Sequence, residues 1–239
     1  MTLNRPRGVL FDYGGTLVEE AAFDADAGMN TLLAHLQNPL AIPRDAIVEH
    51  AELVAREVKA RRDEFQIETP WVSITHLTYD RFGLRFTRPI PELELAFWNA
   101  SVTTHPILAA QETLLALGQL GLRLGVVSNS SFRSHVIRHE LAKHGLADPL
   151  SVVVASADYA VRKPNPLILE AAAGLLGVPA RDIWFVGDRL DTDMAGARAA
   201  GLTAVWFAPN GDRSDEVDLT VRSHVELLEH IRSFSQRNK

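Results

Sequence analysis

Apolar residues fall along this chain in two rhythms. Short runs rich in Val, Ile and Phe occur at Val9–Phe11, Leu124–Val127, Val152–Val154, Ile183–Val186 and Thr203–Phe207, each bounded by Gly, Asp, Ser or Pro. That is the pattern of strands in a parallel sheet covered on both faces. Between the later runs the apolar spacing changes to three and four: Leu114, Leu117 and Leu120; Ile168, Leu169, Ala172, Leu175 and Leu176; Met194, Ala197 and Ala200. This predicts helices with one buried face, joined to the strands by short loops as parallel βαβ units require. Val225, Leu228 and Ile231 predict a closing packing helix. The fold class is α/β, a doubly wound parallel sheet.

The rhythm fails between the first run and the second. From about Val18 to His105 no strand-like run is read, while Met29, Leu32, Leu33 and Leu36, then Ile47, Ala51, Val54 and Val58, form helical stripes. Pro39, Pro43, Pro70, Pro89, Pro91 and Pro106 punctuate the segment as helix boundaries. A second, helical unit inserted after the first strand is expected there.

Composition narrows the classes. With 239 residues the chain can hold one large domain or a core with a smaller companion. Its 46% hydrophobic and 23% charged content is ordinary globular usage, and a formal charge of −6 disfavours a nucleic-acid partner. The absence of cysteine excludes disulfides, thiol nucleophiles and thiolate metal sites, which leaves oxygen or imidazole ligands. The longest apolar stretch, Ile107–Val127, is interrupted by Gln111, Glu112, Gln119 and Arg123 and cannot span a membrane. No secretion signal is read in MTLNRPRG and the few residues after it. A soluble, cytoplasmic protein without a membrane partner is expected.

Candidate chemistry collects at the ends of the strand runs. Asp12 ends the first, in GVLFDYGGTLV, and is followed by Gly14, Gly15 and Thr16; the glycines can turn the backbone and bring N–H groups to an anion. Ser128 and Asn129 end the second, in GVVSNSS, and Lys163 stands in VRKPNP just before a helix. Gly187 and Asp188 end another strand, in WFVGDRLDTDMAGARAAG, which continues through Asp191 and Asp193. Taken singly, each has a bland reading: a turn residue, a helix cap, or a solvated lysine. The set is more informative, because open α/β sheets bind ligands at that edge. Clustered carboxylates call for a cation, and oxygen-only ligands suit Mg²⁺. A carboxylate nucleophile, hydroxyl and amide donors, one lysine and a carboxylate metal site together suit phosphoryl transfer. Asp12 would attack phosphorus, Ser128 and Lys163 would hold the oxygens, and water would hydrolyse the aspartyl phosphate.

In these residues the chain resembles the haloacid dehalogenase-like hydrolase superfamily, and the likeness covers all four motifs in order. The resemblance implies Asp12 as nucleophile in FDYGGTLV, Ser128 and Lys163 as the second and third motifs, and Asp188 with Asp193 near the metal in GDRLDTD. It implies a Rossmann-like core of residues 1–17 and 106–239, and a helical cap over residues 18–105 that closes on the active site. The substrate would be a small phosphorylated metabolite, with Gly15, Thr16, Ser128, Asn129 and Lys163 on the phosphate. Mg²⁺ would be held by Asp12, Asp188, Asp193 and the carbonyl of Gly14.

One departure stands out. Phosphatases of the superfamily carry a second aspartate two residues after the nucleophile as general acid and base, and here that position is Gly14. General acid–base catalysis is worth about 10² to 10⁴ in rate, so leaving-group protonation should suffer unless Glu19, Glu20 or a cap residue such as His76 replaces it. A catalytically degenerate binding protein is the alternative. Dehalogenation fits less well: haloacid dehalogenases place a tyrosine at the second position and lack the Gly-Asp metal motif, whereas Tyr13 is at the first and Gly187-Asp188 is present. Among the rest, His135 and His139 read as a solvated face rather than a metal pair, and Trp71, Phe82, Phe97 and Trp98 as cap core rather than a pocket.

Overall fold

The computed structural model describes residues 3–37 and 42–236. β1 (Gly8–Phe11) leads into β2 (Val18–Phe23) and four helices: α1 (Ala25–Leu33), α2 (Arg44–Phe65), α3 (Trp71–Phe82) and α4 (Ile90–Ser101). β3 (Val102–Pro106) and α5 (Ala110–Gln119) are followed by β4 (Arg123–Ser128), α6 (Ser134–Lys143), β5 (Leu150–Ala155), the short α7 (Ser156–Tyr159) and α8 (Pro166–Leu176). Next come β6 (Ile183–Gly187), a π-helical turn at Leu190–Met194, α9 (Ala195–Ala199), β7 (Thr203–Phe207), β8 (Leu219–Val221) and α10 (His224–Gln236).

The main sheet has six strands in the order β5-β4-β1-β6-β7-β8, all pairings parallel. Side chains alternate across β1, so Val9 and Phe11 join one buried cluster while Leu10 joins the other. All four β1 residues are buried, which is why GVLF reads as a continuous apolar run. The chain fills one side of β1 with β4 and β5 before crossing to β6, so the strand order reverses at β1. Ligands of open α/β sheets bind outside the carboxyl ends at such a reversal.

The expectation of a strand-free stretch from Val18 to His105 is corrected: β2 and most of β3 lie within it and pair antiparallel with each other. VEEAAF is buried only at Val18, and VTTHP only at Val102 and Thr104. An exposed polar ribbon has no apolar alternation to announce it. Strand β8 escaped notice for a simpler reason, its three-residue length. The helical stripes of the insertion do form helices, and Pro43, Pro70 and Pro89 stand immediately before α2, α3 and α4. Pro39 lies outside the described residues. In α10 the buried positions are His224, Leu227 and Ile231, while Val225 is exposed. The buried face is therefore turned from the expected stripe, because His224 anchors the start of the helix to the main chain of Thr16.

Several bonds hold the insertion over the ends of β4 and β5. The N–H of Trp71 donates to Ser131 O at 2.7 Å, and that of Arg162 to Gln66 O at 3.2 Å. Buried Glu94 accepts from the N–H and the guanidinium of Arg133 at 2.9 and 2.7 Å. Trp71 and Phe97 pack at a tilt with ring centroids 5.2 Å apart, and Trp98 meets Phe132 edge-on at 4.9 Å. These rings pack the cap, although Trp71 and Phe97 also line a second cavity of about 650 Å³. Among the described residues no helix is long and apolar enough to cross a membrane.

Candidate active site

Asp12 is the first residue past β1, and its N–H still donates to Val186 O of β6 at 2.8 Å. The sheet thus fixes the backbone that presents its carboxylate. Lys163 reaches the same point from the segment ahead of α8, with only 1% of its side chain exposed. Asn129, just after β4, holds that segment: Oδ1 accepts the N–H of Lys163 at 2.8 Å and Nδ2 donates to its carbonyl at 2.9 Å. Both amide atoms of Asn129 therefore act on the lysine main chain, where sequence reasoning had expected them on an anion.

The Lys163 ammonium donates to Asp12 Oδ1 at 2.5 Å and Val127 O at 2.9 Å, and pairs with Asp193 Oδ1 at 2.7 Å. Three partners match its three donors, so the solvated-lysine reading does not survive. Asp193 arrives through the π-helical turn, a local winding common at functional sites. Its Oδ2 accepts from the N–H of Arg189 at 3.1 Å. Asp191, two residues earlier, also lines the cleft but pairs with the exposed Arg189 guanidinium at 2.8 Å.

Asp188 completes the group. Ligand oxygens of Asp12, Asp188 and Asp193 lie within 4.8 Å of one another. Asp188 packs on Gly15, whose φ of +75° suits glycine, and a β-carbon there would stand 2.5 Å from Asp188 Oδ2. Gly14 differs, because its φ is not positive and a β-carbon on it would find only Glu20 Oε1, at 4.0 Å. The Gly15 N–H closes the turn on Val18 O at 2.9 Å instead of facing a ligand. Thr16, expected on the phosphate, is fully buried and outside the cleft lining, with its carbonyl accepting from His224 Nε2 at 2.7 Å.

Charge in this cluster is unbalanced. Burial pushes the Asp12 carboxyl upward; Lys163 opposes this, and Asp193 and Asp188 reinforce it. Burial disfavours the Lys163 ammonium, but the Asp12 and Asp193 charges and hydrogen bonds outweigh it and hold its pKa above the ordinary lysine value. Asp188 is raised by burial first and the Asp193 charge second, and its buried Oδ1 has no hydrogen-bond partner among the described residues. Three carboxylates against one lysine, all oxygen donors, with one carboxylate oxygen unspent, fit a hard divalent cation.

The cleft has a volume of about 870 Å³. Asp12, Gly14, Gly15, Ser128, Asn129, Lys163, Asp188 and Asp193 line its core wall, and Glu19, Glu20, Arg62 and Gln66 face them from β2 and the end of α2. Arg62, Gln66 and Arg162 were not foreseen in the sequence. Arg162 adjoins Lys163 in VRKP, a signal that was available, whereas the polar end of α2 offered none. His76 is exposed beside Asp80 at 3.7 Å and does not line the cleft. His135 lies against Glu94 and the Pro91 carbonyl, while His139 is exposed, so they make no metal pair.

A haloacid dehalogenase-like hydrolase profile matches residues 6–201, which takes in β1, the insertion and the ends of β4, β5 and β6. The chain belongs to the haloacid dehalogenase-like hydrolase family. It is 34% identical over 202 residues to a phosphoglycolate phosphatase of Rhodospirillum rubrum, covering 84% of this chain and 78% of that one. A glyceraldehyde 3-phosphate phosphatase of Methanopyrus kandleri is 25% identical over 250 residues, covering 96% and 99%. Among solved structures, a haloacid dehalogenase-like phosphatase from Thermococcus onnurineus superposes with a TM-score of 0.61 at 27% identity, covering 94% of this chain and 97% of that one.

Proposed function

We propose that this hydrolase is a Mg²⁺-dependent phosphatase of a small phosphorylated metabolite, acting through an aspartyl phosphate on Asp12. The observation that carries the reading is the buried Lys163 ammonium bridging Asp12 and Asp193 at the sheet edge. It orients the Asp12 carboxylate and supplies positive charge where phosphoryl oxygens would gather. Relatives named for phosphoglycolate and glyceraldehyde 3-phosphate, both small phosphorylated molecules, support the substrate class.

In this reading Asp12 forms a bond to phosphorus as the leaving oxygen departs, and water later displaces Asp12 to release phosphate. Ser128, at the end of β4 in the cleft, donates to a phosphoryl oxygen. Asn129 keeps Lys163 in place through both of its amide atoms. The insertion limits water and shapes the far side of the substrate. A divalent cation held by Asp12, Asp188 and Asp193, with Gly14 offering only its carbonyl, would supply charge neutralisation on the phosphoryl group.

Gly14 favours a second reading, a degenerate member that binds phosphate compounds with little turnover. Phosphate release from acetyl phosphate, para-nitrophenyl phosphate and common sugar and nucleotide monophosphates, with Mg²⁺ or chelator, separates the two. Release that needs both Mg²⁺ and Asp12, lost by at least about 10³-fold in Asp12→Asn, is expected. No release from any compound, or equal release by the Asn variant, would move the binding reading ahead.

A further inference from the structure

A phosphatase that lacks a carboxylate at position 14 needs another group to move protons, and the cleft holds one near that position. A β-carbon on Gly14 would have Glu20 Oε1 at 4.0 Å and no other atom beyond its chain neighbours within that distance. The Glu20 carboxylate thus reaches toward the space a side chain at position 14 would occupy. It comes from β2 on the facing wall, where the β2–β3 ladder shifts register between Glu20 and Ala22. Register irregularities of this kind, β-bulges among them, re-aim side chains beside active sites. Glu20 also lines the same cleft as Asp12, Ser128 and Lys163.

We propose that Glu20 is the general acid and base of this hydrolase, giving a proton to the leaving oxygen and taking one from the attacking water. The proposal rests on the phosphatase reading above. As the Asp12 oxygen bonds to phosphorus, the bond to the leaving oxygen breaks and the Glu20 proton passes to that oxygen, releasing an alcohol. Water then bonds to phosphorus, the Asp12–phosphorus bond breaks, and the water proton returns to Glu20. Atoms and charge balance over the cycle as monoester plus water giving alcohol plus phosphate.

The charged and titratable neighbours of Glu20 suit this role. Its cross-strand partner Thr104 donates to buried Glu140, and Tyr13 is buried nearby; Glu19 and Arg62 share the cleft. Although Glu20 is exposed on the ribbon, loss of water around its carboxyl in the cleft comes first and the Glu140 charge second in holding it above the ordinary glutamate value, the direction a proton donor near neutral pH requires. The Tyr13 phenol, by contrast, is pushed up by burial, Glu140 and Glu20, and keeps its proton. Glu19 and Glu20 share the wall, but only Glu20 approaches the β-carbon position of residue 14.

The test compares wild type, Glu20→Gln, Glu19→Gln and Gly14→Asp/Glu20→Gln on an alkyl phosphate, whose leaving group needs a proton, and on acetyl phosphate, whose leaving group does not. Glu20→Gln should lower kcat/KM for the alkyl phosphate by about 10² to 10⁴ and for acetyl phosphate by less than about tenfold. Because water attack also loses its base, kcat on acetyl phosphate should fall and the phosphorylated enzyme should accumulate. Gly14→Asp in the Glu20→Gln background should recover at least about tenfold of the alkyl phosphate kcat/KM, since the backbone at 14 accepts a side chain. Equal losses on both substrates, no loss, a leaving-group-dependent loss in Glu19→Gln instead, or no recovery in the double variant would each overturn the proposal while leaving the phosphatase reading standing. A folded wild type with no Mg²⁺-dependent release from any phosphate would overturn both.

Discussion

Along the core wall of the cleft, Asp12, Lys163 and Asp193 are carried on a strand end, the segment ahead of α8 and a wound turn, are 8%, 1% and 1% exposed, and are joined through the Lys163 ammonium. Across from them, Glu19, Glu20 and Gln66 are exposed and Arg62 is half-buried, on a two-stranded ribbon and the last turns of α2. The core wall is preorganised: the sheet fixes Asp12, Asn129 fixes Lys163 and the Arg189 N–H fixes Asp193 before a substrate arrives. The facing wall is more open to solvent, which suits groups that choose substrates and exchange protons with them. A rigid electrostatic half and an adaptable recognition half divide the work of one cleft.

Breaking the core wall should have the largest effects. Lys163→Met leaves three carboxylates clustered without their cation, and removing one partner of a buried pair costs about 3–5 kcal/mol. Urea denaturation should record a loss of that size, and phosphate release should fall by at least about 10³-fold. If stability were unchanged, the lysine would not be holding the cluster together. Ser128→Ala removes one donor to a charged oxygen, a contribution of about 1.5–3 kcal/mol, so kcat/KM should drop by about 10- to 100-fold with little change in melting temperature.

Acid should loosen the core wall from beneath. Burial lowers the His224 pKa, only partly offset by the bond to Thr16, so the folded state holds the ring neutral while the unfolded chain binds a proton. That stability is fully present above about pH 6.5, the ordinary imidazole value, and is lost as pH falls below it toward the folded-state value, by up to about 1.4 kcal/mol per pH unit. Urea melts at pH 7.5 and 5.5 should differ less in His224→Gln than in wild type, and an identical difference would remove His224 from the account. The smallest expected effect lies on the facing wall. Arg62→Ala should raise KM about three- to tenfold with kcat nearly unchanged, the mark of binding lost equally in ground and transition states. A fall in kcat of the core-wall size would erase the distinction between the walls.

The same division explains what could be read from the sequence. Strands β1, β4, β5, β6 and β7 are buried on both faces, so their apolar runs announced them, and the residues just past β1, β4 and β6 came with them. Lys163 was visible as a basic residue before a helix and, through the family resemblance, as the third motif; its burial depends on Asn129, Val127, Asp12 and Asp193, which are distant in sequence. Thr16 was misplaced because the Gly15 turn swings it inward toward His224. The ribbon of β2 and β3 was missed because exposed strands carry polar residues. With it went the position of Glu20, whose approach to Gly14 depends on a ladder irregularity that no local pattern encodes.

The central claim is that Asp12 becomes phosphorylated during turnover. The direct measurement is rapid acid quench of the enzyme with excess acetyl phosphate and Mg²⁺, followed by intact mass and peptide mapping. The account predicts one added phosphoryl group per chain, confined to the peptide containing Asp12, absent in Asp12→Asn and enriched in Glu20→Gln. Phosphate release by wild type with no adduct at any quench time, or an adduct on a residue other than Asp12, would contradict it.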